Sequence, residues 1–186
     1  MVEQPGSRPP APPPLDIVQA FVNSWDREAG TEAFGSPDEL AAWLRRHDLI
    51  GRDDPVDPRD VRDALELREA IRGLLLEHNG EAPSTGAHAA FVRHAERSPL
   101  AARLEDGKRI GLGPAHGGVR GAWASLLGAI AQASAEGTWP RLKACRSDTC
   151  QWAFYDHSKN RSSHWCTMEI CGARDKMRRY RRRARG

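Results

Sequence analysis

The first 140 positions of the chain alternate stretches of helical apolar periodicity with short polar breaks. The first periodic stretch begins at Leu15, and Val18 and Val22 fall on the same helical face. The strongest periodicity covers residues 57–80, where an Asp-Pro pair opens the segment and an Asn-Gly pair closes it. The sequence therefore predicts an amphipathic helix near the start and a long helix in the middle of this region.

Three further segments are also predicted to be helical. Ser36 is placed as an N-cap, Pro37 as the first helical residue and Glu39 as the partner in a capping box. Residues 88–97 and residues 117–137 repeat the helical spacing, and the second of these segments ends in a glycine. The region from position 15 to position 138 is therefore predicted to be a mainly helical domain.

One stretch of this domain has the pattern of strands. The segment "LAARLEDGKRIGLG" contains two short runs joined by Asp106 and Gly107, a pair that favours a type I′ turn. We therefore predict one β-hairpin within the helical domain. Residues 1–14 contain six prolines and are predicted to form a disordered arm.

Charge is distributed unevenly along the 186 residues. Residues 141–186 contain 13 basic and 4 acidic residues, which gives a net charge of +9. Residues 1–140 contain 15 basic and 21 acidic residues, which gives a net charge of −6. This asymmetry is typical of a mildly acidic domain joined to a segment that binds a polyanion. No stretch resembles a secretory signal or a transmembrane span, so we expect a soluble, cytoplasmic protein with no membrane partner.

All four cysteines lie within 27 residues and form two pairs, each separated by four residues: Cys145 with Cys150, and Cys166 with Cys171. Two paired thiolate loops can surround a tetrahedral Zn²⁺. In a reducing compartment this spacing favours one structural zinc ion over two disulfides or four unrelated thiols. His157 and His164 are alternative ligands, although four cysteines already complete a structural site.

The aromatic residues between the two cysteine pairs have two interpretations. Trp152, Phe154 and Trp165 are expected to form the small core of the zinc module, because so short a segment needs its aromatic side chains inside. The alternative is that they stack on nucleic-acid bases. Tyr155 remains open to either role.

The residues after the last cysteine predict a basic amphipathic helix. Its apolar stripe contains Ala173, Met177, Tyr180 and Ala184 and is expected to pack on the zinc module. The candidate DNA-binding residues are Arg174, Lys176, Arg178, Arg179, Arg181, Arg182 and Arg183. A charge run is often only a solvated face, but phosphate binding is favoured here because a metal site fixes one end of the helix.

The cysteine-rich region and the basic segment after it resemble a known family. The segment "RLKACRSDTCQWAFYDHSKNRSSHWCTMEICGARDKMRRYRRR" is similar to the CGNR zinc finger, a bacterial family with the patterns C-x4-C-x-W-x-F-Y-D and W-C-x-M-x-x-C-G-N-R. The preceding "FVNSWD" and "LELREAI" resemble segments of the ABATE domain. The resemblance implies a stress-related transcription regulator whose four cysteines bind zinc. Ala173 stands where the family has asparagine, which could cap a helix or contact DNA, whereas Arg174 is kept.

Arg68 raises a separate question, because it lies on the apolar face of the long predicted helix. A guanidinium in that position needs a partner. One interpretation is an internal carboxylate or a helix-end carbonyl. The other is that Arg68 and Asn23 line a pocket for a small anionic molecule, which would make the domain a sensor.

The predicted fold is mainly α: a helical domain with one β-hairpin, followed over residues 139–186 by a treble-clef-like zinc finger with a C-terminal basic helix. The expected function is zinc-dependent DNA binding by a transcription regulator. Candidate partners are DNA, a small anionic effector and a second copy of the chain. The alternative is a protein- or RNA-interaction module that docks on the transcription or translation machinery. No P-loop or nucleophile elbow is present, so we expect no enzymatic activity.

Overall fold

The computed structural model describes residues 8–184 of the chain. The described helices are α1 (Leu15–Val22), α2 (Pro37–Arg46), α3 (Pro58–Glu77), α4 (Thr85–Arg97), α5 (Gly118–Ala135) and α6 (Ala173–Arg183). A 3₁₀ turn (Trp139–Arg141) follows α5, and a π-helical turn (Met168–Gly172) leads directly into α6. None of these helices is long and apolar enough to cross a membrane.

Three two-stranded antiparallel sheets connect the helices. The strands are β1 (Trp25–Asp26) with β2 (Thr31–Glu32), β3 (Leu100–Glu105) with β4 (Arg109–Pro114), and β5 (Leu142–Ala144) with β6 (Ala153–Tyr155). The predicted mainly α fold with a hairpin and a zinc finger is therefore confirmed. The short β1–β2 pair was not predicted, because two residues per strand leave no alternating pattern in the sequence.

The helix boundaries follow from local capping chemistry. The Ser36 hydroxyl accepts a hydrogen bond from the Glu39 backbone N–H at 3.3 Å, as the predicted N-cap requires. Asp57 caps α3 in the same way, and the Asp60 carboxylate accepts a hydrogen bond from the Asp57 backbone N–H in return. These caps confirm two helix starts that the sequence alone placed.

The β3–β4 hairpin turns at the predicted Asp-Gly pair. Asp106 and Gly107 both have positive φ, at +50° and +67°, as a type I′ turn requires. Lys108 adds a third loop residue, because Glu105 pairs with Arg109 in the observed register.

One hydrophobic core crosses the boundary between the helical domain and the finger. Phe21 packs against Trp123 of α5, with ring centroids 5.6 Å apart, and lies in the same buried cluster as Leu142, Ala153 and Tyr155 of the β5–β6 hairpin. Tyr155 is thus a core residue and is not available for base stacking. The finger is joined to the helices through this shared core.

Residues 8–14 differ from the predicted disordered arm. Ala11 is buried, and its backbone N–H donates a 2.7 Å hydrogen bond to Gln19. The Arg8 guanidinium lies 4.7 Å from the centre of the Phe154 ring and donates to the Tyr155 carbonyl. Residues 8–14 therefore pack on α1 and on the finger; residues 1–7 of the predicted arm lie outside the described residues.

Candidate metal centre and basic helix

The four cysteine side chains converge on one buried point between β5–β6 and α6. Their Sγ atoms, from Cys145, Cys150, Cys166 and Cys171, all lie within 4.8 Å of one another. The Cys150–Cys166 and Cys166–Cys171 sulfur distances are 3.6 and 3.5 Å. Tetrahedral zinc with Zn–S bonds of about 2.3 Å places its sulfurs roughly 3.8 Å apart, so these thiols fit one structural zinc ion.

Two tight turns position the sulfurs. The first connects β5 to β6: the Cys150 N–H donates to the Ser147 carbonyl at 2.9 Å, and the Cys145 N–H donates to the Trp152 carbonyl at 2.9 Å. The second turn begins at Thr167, whose hydroxyl accepts from the Ile170 N–H at 3.2 Å and so starts the π-helical turn that contains Cys171. The last zinc ligand therefore lies in the turn from which α6 extends.

The thiols cannot all ionise together without a cation. Hydrogen bonding from Cys150 and Cys166 holds the pKa of the Cys145 thiol far below its ordinary value. Hydrogen bonding to Cys145 raises the pKa of both Cys150 and Cys166, and burial raises the pKa of Cys171. A thiophilic divalent cation resolves this conflict, because zinc binds all four sulfurs as thiolates and links metal binding to folding.

The predicted aromatic core of the zinc module is confirmed. Trp152 and Phe154 are buried with the four cysteines, and Trp165 packs against them. Neither histidine of the finger joins the metal cluster. His164 Nδ1 lies 2.7 Å from the Asn79 side-chain oxygen, and His157 packs edge-on against the Tyr155 ring.

A buried ion pair holds the loop between the two cysteine pairs. Lys143 Nζ lies 2.9 Å from Asp156 Oδ2, and the side chains are 4% and 0% exposed. Lys143 also donates to the Arg161 carbonyl at 2.6 Å, while the Asp156 carboxylate accepts from the N–H groups of Ser158 and Ser163. These contacts fix residues 156–163 beside the metal centre.

The ion pair predicts a pH-dependent contribution to stability. Burial alone would raise the pKa of the Asp156 carboxyl, but hydrogen bonds from Ser158 and Lys143 outweigh it and place the pKa well below the ordinary value. Asp156 therefore stabilises the fold at pH above its unfolded pKa of about 3.9, and this contribution is lost as the pH falls through the folded pKa. We expect Asp156→Asn to lower the free energy of unfolding of the zinc-loaded protein by about 3 kcal/mol at pH 7.

Urea denaturation of wild type and Asp156→Asn at several pH values checks this expectation. The difference between the two proteins should shrink below about pH 4, where the Asp156 carboxyl of the unfolded chain becomes protonated while the folded carboxylate is still ionised. Asp148→Asn is the matched control, because Asp148 is an exposed carboxylate of the first cysteine turn. A difference that stays constant down to pH 3 would show that the charge of Asp156 contributes nothing.

Helix α6 has no buried side chain over its described length. The prediction that its apolar stripe packs on the zinc module is wrong: Met177 and Tyr180 are 50% and 68% exposed. Half or more of each of these two side chains is exposed, so no neighbouring element of residues 8–184 buries the stripe. The periodicity correctly identified the residues that share a face, but not whether another surface covers that face.

The predicted DNA-binding residues all lie on α6 but differ in their surroundings. Arg174 forms a 2.6 Å ion pair with Glu28, which lies in the β1–β2 loop of the helical domain. Arg178 and Arg179 both lie close to Asp175, at 3.4 and 2.8 Å. The other four cations are exposed and make no ion pair with residues 8–184: Lys176, Arg181, Arg182 and Arg183.

Arg68 and Asn23 do not form the predicted ligand pocket. Arg68 makes a bidentate ion pair with Glu32, at 2.6 and 2.7 Å, so the alternative of an internal carboxylate describes it correctly. Asn23 binds both backbone groups of Ala153: its side-chain oxygen accepts from the N–H at 2.7 Å, and its amide donates to the carbonyl at 2.9 Å. Both side chains are therefore occupied within the fold.

Two residues that the sequence analysis did not single out connect α3 to the finger. Arg72 is 1% exposed and donates to the carbonyls of Val22 and Gln151, both at 2.7 Å. Asn79 donates to the carbonyls of Ala144 and His164, at 2.7 and 2.8 Å. Arg72 stands one turn after Arg68 on the same apolar face, and this second buried guanidinium was a signal that sequence reasoning could have used.

The fold and the cysteine site define a zinc-finger protein with a helical domain in front of the finger. Comparison with family models agrees: the CGNR zinc finger matches residues 141–184, and ABATE, described as "Putative stress-induced transcription regulator", matches residues 15–137. Since that match covers more than half of the chain, the protein belongs to the ABATE family and carries a CGNR zinc finger. A search of curated proteins gave no match.

Proposed function

We propose that this protein is a transcription regulator that binds duplex DNA through α6. The observation that supports the proposal is the position of the helix: α6 starts immediately after the last zinc ligand, buries none of its side chains and contains seven basic residues against one acidic residue. Zinc fixes the direction of the helix, and the arginines provide affinity for phosphates. In this proposal the metal has a structural role and the protein has no catalytic activity.

The shape of α6 suits the major groove of DNA. An α-helix with its side chains is about 10–12 Å wide, close to the width of about 12 Å of that groove. Eleven residues give a length of roughly 16 Å, enough to reach several phosphates. A helix packed along one side buries part of its surface, whereas no side chain of α6 is buried within the described structure.

The local ion pairs rank the cations for this role. Lys176, Arg181, Arg182 and Arg183 need no partner exchange to bind phosphate. Arg174 must first leave Glu28, so it should contribute least. Ala173 is exposed at the start of the helix and offers no side-chain donor or acceptor, so we expect phosphate contacts to supply more of the affinity than base contacts.

Salt dependence of binding tests the proposal. If about five phosphates are engaged, log affinity should fall with log salt at a slope of roughly −4.5. The triple variant Arg181→Ala, Arg182→Ala, Arg183→Ala should bring that slope to roughly −2, because three contacts are removed, and should weaken binding more than tenfold at about 50 mM salt. Fluorescence anisotropy with a labelled duplex at several salt concentrations measures both quantities.

A matched control separates α6 from the net charge of the protein. Arg46, Arg52 and Arg59 are exposed on the helical domain, and their triple alanine variant loses the same formal charge. The control should keep the wild-type slope within about one unit. An equal loss of DNA affinity in both triple variants would mean that binding follows the overall charge of the protein. Unchanged affinity in both variants would show that α6 does not contact DNA.

A protein partner is the second candidate, and one observation favours it. Ile170 in the π-helical turn and Met177 and Tyr180 on α6 are exposed. Ile170 and Met177 line a shallow groove of about 640 Å³ between Glu169 and Arg181. An apolar strip flanked by arginines suits an acidic amphipathic segment. The double variant Met177→Ala, Tyr180→Ala should lower the affinity for such a partner protein at any salt concentration. Its affinity for DNA phosphates should be little changed.

We infer a cytoplasmic location from the proposed function. DNA and reduced thiols coexist in that compartment, and four free buried cysteines need reducing conditions to remain available for zinc.

A further inference from the structure

The β3–β4 hairpin exposes large apolar side chains on one face. Leu104, Ile110 and Leu112 are 64%, 73% and 68% exposed. The register pairs Leu104 with Ile110 and Ala102 with Leu112, and side chains two positions apart on a strand share a face. These residues therefore form one continuous apolar ridge. Arg103 lies on the opposite face, where it covers Gly113.

A groove runs between this ridge and α5. Its volume is about 710 Å³, and its floor is made by small residues of the helix, among them Ser125, Gly128 and Ala129. Leu100 at the base of the hairpin closes one side, since its methyl groups lie 3.4–3.5 Å from where a Cβ on Gly128 would stand. Arg109 is the one charged residue in the lining. The groove therefore suits a mainly apolar occupant and is a poor match for nucleic acid, whose binding depends on several cations.

We propose that this surface is the dimer interface, and that its occupant is the hairpin of a second copy of the chain. The ridge and the groove lie side by side on one surface, so a twofold axis between two copies places each ridge in the groove of the other copy. In such an isologous contact, one twofold rotation buries the ridge and the groove of both copies. The other large exposed apolar side chains among residues 8–184 are Val92 of α4, Met168 and Ile170 of the π-helical turn, and Met177 and Tyr180 of α6. The side chains on α6 are flanked by arginines, which would have to enter the apolar groove if this strip were the occupant.

The size of the surface agrees with a dimer. Six-residue strands give a hairpin face of roughly 20 by 10 Å, and the part of α5 that lines the groove, residues 125–135, adds roughly 16 by 10 Å. These faces total roughly 360 Å² in projection, without the added area of protruding side chains. Specific interfaces bury about 800 Å² of accessible surface on each partner, and weak ones somewhat less. A face of this size is at the small end of specific interfaces, so the dimer that we propose is a weak and reversible one.

The two-stranded sheet itself also gains from this contact. An isolated hairpin is marginally stable in water and needs a further strand or a packed face. The base of β3–β4 has that support from α5, but its outer half, with Leu104 and Ile110, does not. A partner hairpin would supply it and would cover apolar surface that otherwise favours aggregation.

Sedimentation velocity of the zinc-loaded full chain without DNA tests the proposal, at protein concentrations from about 1 to 100 μM. We expect the wild type to shift from monomer to dimer over this range. Ile110→Glu should raise the dimer dissociation constant at least about 100-fold, because the substitution occurs twice across the axis and places a charge in an apolar contact. Val92→Glu is the matched control, since it puts the same charge on an exposed apolar position of α4 and should leave the dissociation constant unchanged.

A second measurement needs no variant. Hydrogen exchange of the wild type should slow with increasing concentration in residues 100–114 and 125–135. A monomer at 100 μM would overturn the proposal. So would a dimer that Ile110→Glu leaves intact, a dimer that both variants disrupt equally, or a dimer whose exchange slows elsewhere. Because DNA is absent, the result is independent of whether α6 binds DNA.

Discussion

Cys166→Ser is expected to abolish stoichiometric zinc binding and to unfold the finger. Cys166 lies within 3.6 Å of a sulfur from each cysteine pair, so its loss separates the two halves of the site. Structural zinc contributes about 10–16 kcal/mol in isolated finger peptides, which is comparable to the total stability of a domain. Even a modest fraction of this value would be enough to melt residues 145–172.

The shared core should extend this effect beyond the finger. Ala144 and Ala153 flank the first cysteine turn and are buried in the same cluster as α1 and α3. We therefore expect the helical domain of Cys166→Ser to lose stability as well, by several kcal/mol. Metal analysis gives the zinc content, and near-ultraviolet circular dichroism reports the packing of the tryptophans.

His157→Ala is the control for zinc binding. His157 can bind metal by its chemistry but lies outside the cysteine cluster, so this variant should retain one zinc ion per chain. One zinc ion and a wild-type spectrum in Cys166→Ser would show that the four thiols are not the site. Zinc loss in His157→Ala would bring the histidine back as a ligand.

Arg72→Met should produce the second large effect. Methionine keeps most of the length of the side chain but removes the donors to the buried Val22 carbonyl and the half-buried Gln151 carbonyl. The Glu69 carboxylate also loses the Arg72 guanidinium, 3.1 Å away. A buried acceptor left without its hydrogen bond typically costs about 1–3 kcal/mol, so we expect Arg72→Met to lower the free energy of unfolding by at least about 2 kcal/mol.

Chemical denaturation of the zinc-loaded protein measures the effect of Arg72→Met. The control is Arg62→Met, an exposed position on the same helix, which should change stability by less than about 0.5 kcal/mol. Since Arg72 connects α1, α3 and the first cysteine turn, probes in the finger and in the helices should also separate into two transitions in Arg72→Met. A stability within about 1 kcal/mol of wild type, with a single transition, would mean that the finger is held by apolar packing alone.

Local chemistry explains which parts of this structure the sequence predicted. The caps at Ser36 and Asp57, the Asp-Gly turn and the cysteine spacing each act over a few residues, so each leaves a readable signal. The zinc ligands were placed correctly for the same reason: each pair closes its own turn. The two pairs meet because zinc sites of this kind need four ligands.

Long-range partners could not be predicted in this way. Arg68 was recognised as a buried charge, but its partner Glu32 stands 36 residues away in a strand too short to detect. Asn23 binds Ala153, which is 130 residues away. For α6 the pattern correctly identified an apolar stripe but could not show that the helix projects from the finger with Met177 and Tyr180 uncovered.

The structure gives the family-like segments of the helical domain a physical role. "FVNSWD" contains Asn23, which holds β6, and "LELREAI" contains Arg68 and Glu69, the partners in the network that reaches Arg72 and the first cysteine turn. These segments hold the finger in place on the helical domain. The orientation of α6 is therefore set by the helical domain and zinc together.

The most direct test of the central claim is selection from a pool of random duplex DNA with zinc-quantified protein at two salt concentrations, followed by sequencing of the retained fraction. We expect salt-sensitive retention by the wild type, and loss of retention in Cys166→Ser, because α6 needs the metal centre to fix its direction. An enriched sequence would add base readout to phosphate binding. Retention by Cys166→Ser equal to that of the wild type, or no retention of DNA by the wild type at low salt, would contradict zinc-dependent DNA binding through α6.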